Sequence, residues 1–189
     1  FSTFPRPGLS ITGMSIPGDT PQDTLFSLNE LVVGVELFSL LGDEISISEI
    51  TLDHPRFTYK VYSDSTTNID FLISDEAEED TTADGYAINI PYFEIINGTF
   101  GYSDATSATD LRMEDLNGDI SLRYADLIES TVDITLGGLH ATIDSTSYVS
   151  GLPLSLNQTS TLNLDDEILT LGSGTFAIRG LALNLSGTI

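Results

Sequence analysis

The stretch ISISEITL, Ile45–Leu52, decides the reading of this chain. Its apolar residues fall at Ile45, Ile47, Ile50 and Leu52, so the alternation runs in steps of two, then three, then two. Alternation with period two is the pattern of a strand with one apolar face. A single step of three would throw the second pair onto the wrong face of a regular strand. A β-bulge absorbs the extra residue, keeps both pairs on one side, and bends the strand. The doubled polar step Ser48-Glu49 is therefore read as a bulge.

The same figure recurs at Leu9, Ile11, Met14, Ile16 and at Phe176, Ile178, Leu181, Leu183, where Arg179-Gly180 takes the bulge position. A partial copy is Leu111, Met113, Leu116. Plain alternation fills much of the rest: Phe57, Tyr59, Val61; Ile120, Leu122, Tyr124; Val132, Ile134, Leu136; Leu139, Ala141, Ile143. Serine and threonine occupy many intervening positions, as on a solvated sheet face. Asn97-Gly98, Asn117-Gly118, Gly137-Gly138, Gly151 to Pro153 and Gly172 to Gly174 are read as turns between the runs. The expected fold is mainly β, an antiparallel bulged meander curved into a trough. One or two very short helices complete it, with VELFSLL (Val35–Leu41) and NIDFLI (Asn68–Ile73, Asn68 as N-cap) as the candidate segments. The acidic run SDEAEEDTTADG, 74–85, has the composition of a solvated loop. It divides the chain into an N-terminal β unit, 1–73, and a second antiparallel unit, 86–189, that continues the same sheet.

Composition narrows the function. The formal net charge is −23, with six basic side chains scattered along 189 residues. No basic groove can form on a phosphate backbone, so nucleic acid is excluded as a partner. An anionic bilayer surface also repels the chain at long range, and any lipid contact has to be made through apolar surface. There is no cysteine, which removes disulfides and thiolate chemistry. No apolar run is long enough for a membrane-spanning helix. The chain begins at Phe1 and ends at Ile189 inside an apolar alternation, and the expectation is an excised piece of a longer protein.

Candidate chemical sites are sparse. His54 sits in LDHPR beside several acids, but His140 is the only other histidine and falls in another strand run. Pro55 restricts His54 to an extended or turn conformation, and a turn residue is expected there. DLNGD, Asp115–Asp119, shares residue types with a calcium loop but lacks the distal glutamate, and is read as an Asn-Gly turn. There is no G-x-S-x-G and no distinct carboxylate pair. The expectation is a non-enzyme with no catalytic residue, no cofactor and no metal. The apolar face is the candidate site: Leu9, Ile11, Met14, Ile16, Ile45, Ile47, Ile50, Leu52, Phe57, Tyr59, Val61, Phe176, Ile178, Leu181 and Leu183.

Three longer stretches carry a family resemblance. FPRPGLSITGMSI (Phe4–Ile16), LFSLNELVVGVELFSLLGDEISISEITLDHPRFTYKVYSDSTTNIDFLI (Leu25–Ile73) and YFEIINGTFGYSDATSATDLRMEDLNGDIS (Tyr92–Ser121) resemble the N-terminal region of AsmA-like proteins. The likeness lies in the order and spacing of many weak signals over most of 4–73 and 92–121. The acidic run at 75–84 departs from the family pattern. The resemblance implies a bacterial envelope protein on the periplasmic side of the inner membrane, anchored by a helix upstream of this region. It implies a part in outer-membrane biogenesis and a kinship with bridge-like lipid-transfer proteins, whose curved sheets hold lipid acyl chains in an apolar groove. Read without the resemblance, the apolar positions also suit the core of a closed sandwich or barrel. A β-sandwich adhesion or glycan-binding module is the alternative function.

Overall fold

In the computed structural model the described residues are 7–18, 23–36, 39, 46–72, 91–124, 127–164 and 166–189. They form one sheet of twelve strands. The N-terminal part supplies β1 (Gly8–Thr12), β2 (Ser15–Pro17), β3 (Thr24–Ser27), β4 (Glu30–Val35), β5 (Ile47–Asp53) and β6 (Arg56–Val61). The C-terminal part supplies β7 (Tyr92–Asp104), β8 (Thr109–Tyr124), β9 (Ile128–Ile143), β10 (Thr146–Asn163), β11 (Ile168–Ile178) and β12 (Leu181–Thr188). The order across the sheet is β1-β4-β5-β7-β8-β9-β10-β11-β12, with β2, β3 and β6 forming a second branch that joins at β7.

The short N-terminal strands are halves of longer ones. β1 and β2 break at Gly13 (φ +66°), β3 and β4 at Leu28-Asn29, and β5 and β6 at His54-Pro55. The breaks line up across the sheet. Gly13 N donates to Asn29 O (2.8 Å), Asn29 N to Asp53 O (2.9 Å), and His54 N to Ile96 O (2.8 Å). The line continues through Asn97, whose N donates to Asn117 Oδ1 at 2.9 Å, and Asp115. His54, Asn97 and Asp115 all take the left-handed conformation, with φ of 48°, 53° and 53°. Aligned bulges let several neighbouring strands kink together without losing their pairing.

This seam explains the step of three at Met14 and at Leu116. In β5 the extra residue lies elsewhere: Val35 faces Ile47 and Gly34 faces Glu49, which leaves Ser48 as the bulged residue. Arg179-Gly180 is a correction. Ile178 pairs with Leu181, and φ is 40° and 85° at the two residues between them, so this is a tight two-residue hairpin rather than a bulge.

The glycine signals also read differently in three dimensions. Asn97-Gly98, Asn117-Gly118, Gly137-Gly138, Gly151 to Pro153 and Gly172 to Gly174 all lie inside long strands, not at turns. Glycine in a strand marks a bulge or a close approach. A Cβ on Gly118 would stand 3.0 Å from Ile134 Cγ1, and one on Gly137 would stand 2.7 Å from Asp115 Cβ. The Asn-Gly turn expected in DLNGD is therefore the interior of β8.

The true reversals use other residues. Asp144-Ser145 (φ 47° and 64°) turns β9 into β10. The β7–β8 turn is organised by Asp104, whose carboxylate accepts hydrogen bonds from Thr106 Oγ1 (2.7 Å), Ser107 Oγ (2.7 Å) and Thr106 N (2.8 Å). The Thr106 and Ser107 hydroxyls, with the two backbone N–H groups, hold the Asp104 carboxyl well below its ordinary value of 3.8. A depressed carboxylate contributes stability above its unfolded value and loses it as pH falls through its folded value. The Thr106 and Ser107 amide resonances should therefore hold steady from neutrality down to 3.8. They should move only at lower pH, and a midpoint at or above that value would contradict the assignment.

Two further expectations are revised. The sheet is mixed, not wholly antiparallel: β5 and β6 both run parallel to β7. The helical turn in NIDFLI is a single 3-10 turn, Asp70–Leu72. Thr67 leads into it: its N donates to Asp70 Oδ2 at 2.8 Å, the carboxylate half of a capping box, and its carbonyl accepts from Asp70 N at 3.3 Å. Asn68 instead points into the protein. Most of VELFSLL lies outside the described residues, as does the acidic run 74–85.

Candidate functional site

The register places the apolar side chains on one face, rung by rung. One rung reads Leu9, Val33, Ile50, Phe93, Ile120 and Val132 from β1 through β9. The next reads Ile11, Leu31, Leu52, Ile95, Gly118, Ile134, Leu156, Phe176 and Leu183, spanning the sheet from edge to edge. A third runs Gly98, Leu116, Leu136, Leu154, Ile178 and Leu181. On the β6 branch, Ile16 faces Phe26, which faces Phe57. Phe57 and Phe100 stack with ring centroids 5.7 Å apart, and Tyr59 and Tyr102 at 5.9 Å. Directly opposed aromatic pairs of this kind are among the stronger cross-strand contacts.

The opposite face is polar. One of its rungs reads Ser10, Val32, Thr51, Glu94, Asp119, Asp133, Asn157, Thr175 and Asn184. Thr51 donates to Glu94 at 3.2 Å and Asn157 to Asp133 at 2.9 Å. Lys60 sits beside Asp23 at 2.6 Å and Arg112 beside Glu114 at 2.8 Å. Exposed pairs of this type contribute little to stability.

The candidate residues thus fall as follows. Leu9, Ile11, Ile47, Ile50, Leu52, Phe57, Tyr59, Phe176, Ile178, Leu181 and Leu183 sit on apolar rungs. Met14 lies at the β1–β2 break, where its carbonyl accepts from Leu28 N at 3.0 Å. Val61 ends its rung opposite Asp104. Ile45 lies outside the described residues. The candidates come from the two flanks of the sheet, and β7 to β10 join them into one surface. Ile120, Val132, Ile134 and Leu136 belong to that surface, and their alternation was the signal available for finding them. The histidines stand apart. His54 is at the β5–β6 break with Nδ1 2.8 Å from Asp53, and His140 is on β9 with Nε2 3.4 Å from Glu114. Among the described residues no group of three His, Asp or Glu side chains is placed to hold a metal ion.

Among the described residues the apolar face is not sealed. Among the described residues the only buried hydrophobic side chains are Leu25, Leu28 and Leu136. Among the described residues nearly all element-to-element contact is between hydrogen-bonded neighbours, so none of these strands packs across the face of another. Among the described residues β1 and β12 do not pair, so these strands do not close into a barrel. Leu9 on one edge and Leu181 on the other are 60% and 57% exposed. A native single-domain core would bury such residues.

These features define a class: an open, bulged β-sheet with one apolar and one polar face. The AsmA family model matches residues 1–121, and the chain belongs to that family. The family's association is with the bacterial envelope and outer-membrane biogenesis, and the chain shares it at that level. No curated protein matches the sequence.

Proposed function

We propose that this chain is a non-catalytic periplasmic module of an envelope protein anchored in the inner membrane. Its apolar face handles lipid acyl chains in the service of outer-membrane biogenesis. One observation carries the reading: the apolar rungs are continuous from β1 to β12 while few of their side chains are buried. A surface of that kind in water is a standing cost that a bound apolar ligand relieves. Each methylene removed from water contributes about 0.8 kcal/mol, so a dozen contribute roughly 10 kcal/mol before the cost of ordering the chain. Acyl chains need no charged partner, and headgroups can remain at the margin in water. The acidic polar face keeps the open sheet from associating with its own copies.

Protein purified from membrane fractions without detergent exchange should release phospholipid on denaturation, in amounts approaching one molecule per chain by mass spectrometry. Lipid at the level of an unrelated acidic β protein prepared in parallel would count against the proposal.

A further inference from the structure

The apolar face carries a polar island. Ser130 on β9 and Ser160 on β10 are directly opposed, with their hydroxyls 2.6 Å apart. One rung along, Gln158 stands between Val132 and Gly174. The rungs beyond it are carbon: Ile134, Leu156 and Phe176, then Leu136, Leu154 and Ile178. Gln158 is only 8% exposed. Its Nε2 donates to Thr159 O at 2.7 Å, which fixes the other end of the carboxamide as oxygen. That oxygen, Oε1, is buried and accepts no hydrogen bond.

The neighbouring strand is shaped around this side chain. A Cβ on Gly174 would stand 1.8 Å from Oε1 and 2.5 Å from Cδ, so the carboxamide fills the space a side chain at 174 would take. A leucine at 158 would continue the alternation Leu154, Leu156 and leave nothing unsatisfied. An orphaned buried acceptor is unfavourable, and native proteins seldom keep one without a use.

Resting on the lipid-handling reading, we propose that Gln158, flanked by Ser130 and Ser160, contacts the polar junction of a bound amphiphile. Nε2 already holds Thr159 O and Oε1 is the buried atom left without a partner, so the ligand group it fits is a donor, a hydroxyl or an amide N–H. On binding, the carboxamide turns about its hold on Thr159 O, Oε1 leaves the cleft beside Gly174, and it accepts that hydrogen bond. The tail then lies along β10 over Leu156, Leu154 and Leu152. Six residues of strand span about 20 Å, enough for a tail that fills one leaflet of a hydrocarbon core about 30 Å thick.

The test compares dodecanol with methyl undecyl ether, which has the same chain length without the donor. Each is titrated against the full chain by displacement of an apolar fluorescent dye. The wild type should bind the alcohol about tenfold more tightly than the ether. Gln158→Met, close in shape, should bind both equally, with Gln158→Leu as a second variant should methionine disturb the strand. Both variants should unfold at the wild-type urea concentration or above, since neither has an orphaned acceptor. Equal binding of the two ligands by the wild type, or a preference retained in both variants, overturns the role of Gln158 and leaves the lipid-handling reading standing. Binding of neither ligand removes that reading and this one with it.

Discussion

Asn68→Ala should destabilise the protein by about 3 kcal/mol, the loss expected for two unsatisfied backbone groups and a small cavity. Asn68 is a fully buried side chain, at 0% exposure, on a sheet that buries very little. Its Oδ1 accepts from Lys60 N at 2.9 Å and its Nδ2 donates to Thr58 O at 2.8 Å. Its own N–H donates to Lys60 O at 3.1 Å. β3 pairs with β6 only at Arg56 and Phe57, so the carboxamide stands in for a strand partner over the next residues. Alanine leaves the Lys60 donor and the Thr58 acceptor unpaired. For a chain of this length the midpoint of thermal unfolding should fall by roughly 6–12 °C. Asn68→Asp should also be destabilising, because an oxygen then faces the Thr58 carbonyl. A change within about 0.5 kcal/mol, the range of an ordinary surface substitution, would contradict this role.

Leu156→Glu should empty the apolar face of lipid while sparing the fold. Leu156 lies on the rung that crosses the whole sheet, between Ile134 and Phe176. A carboxylate beneath an acyl chain is desolvated without a partner, at a cost of several kcal/mol. Since 1.4 kcal/mol is tenfold in affinity, bound lipid should drop by at least tenfold. The position is half-buried and has no second layer above it among the described residues, so the unfolding midpoint should change little. Asn157→Glu, the next residue on the polar face, should leave bound lipid unchanged. Equal lipid in the two variants would separate the face from the function.

Much of this was legible in the sequence, and the failures have definite causes. Alternation identified the strands and the apolar set, because side-chain direction in a strand has period two. The step of three was meaningful at Gly13, Ser48 and Asp115 but ambiguous at Arg179-Gly180. A bulge and a two-residue hairpin both leave the flanking pairs on the same face, so the pattern alone does not distinguish them. Glycine was ambiguous in the same way. Gly118 and Gly137 are small because neighbouring strands crowd them, and that crowding depends on a partner strand that local sequence does not name. The parallel step onto β7 joins segments separated by a long connection, with no turn chemistry to announce it. Asn68 looked like a cap because it precedes an acidic helical turn, whereas Thr67 satisfies that turn and frees Asn68 to hold β6. The flanks of the candidate face could be read from its repeating figure. Its unity required the register of β7 to β10.

The most direct test of the central claim is photocrosslinking along β10 in cells. A benzophenone amino acid placed singly at Leu154 and Leu156 samples the apolar face, and at Ser155 and Asn157 the polar one. Lipid adducts should form at Leu154 and Leu156 and be absent at Ser155 and Asn157, giving alternation with the period of the strand. Adducts at none of the four, or equally at all four, would contradict a lipid-bearing face.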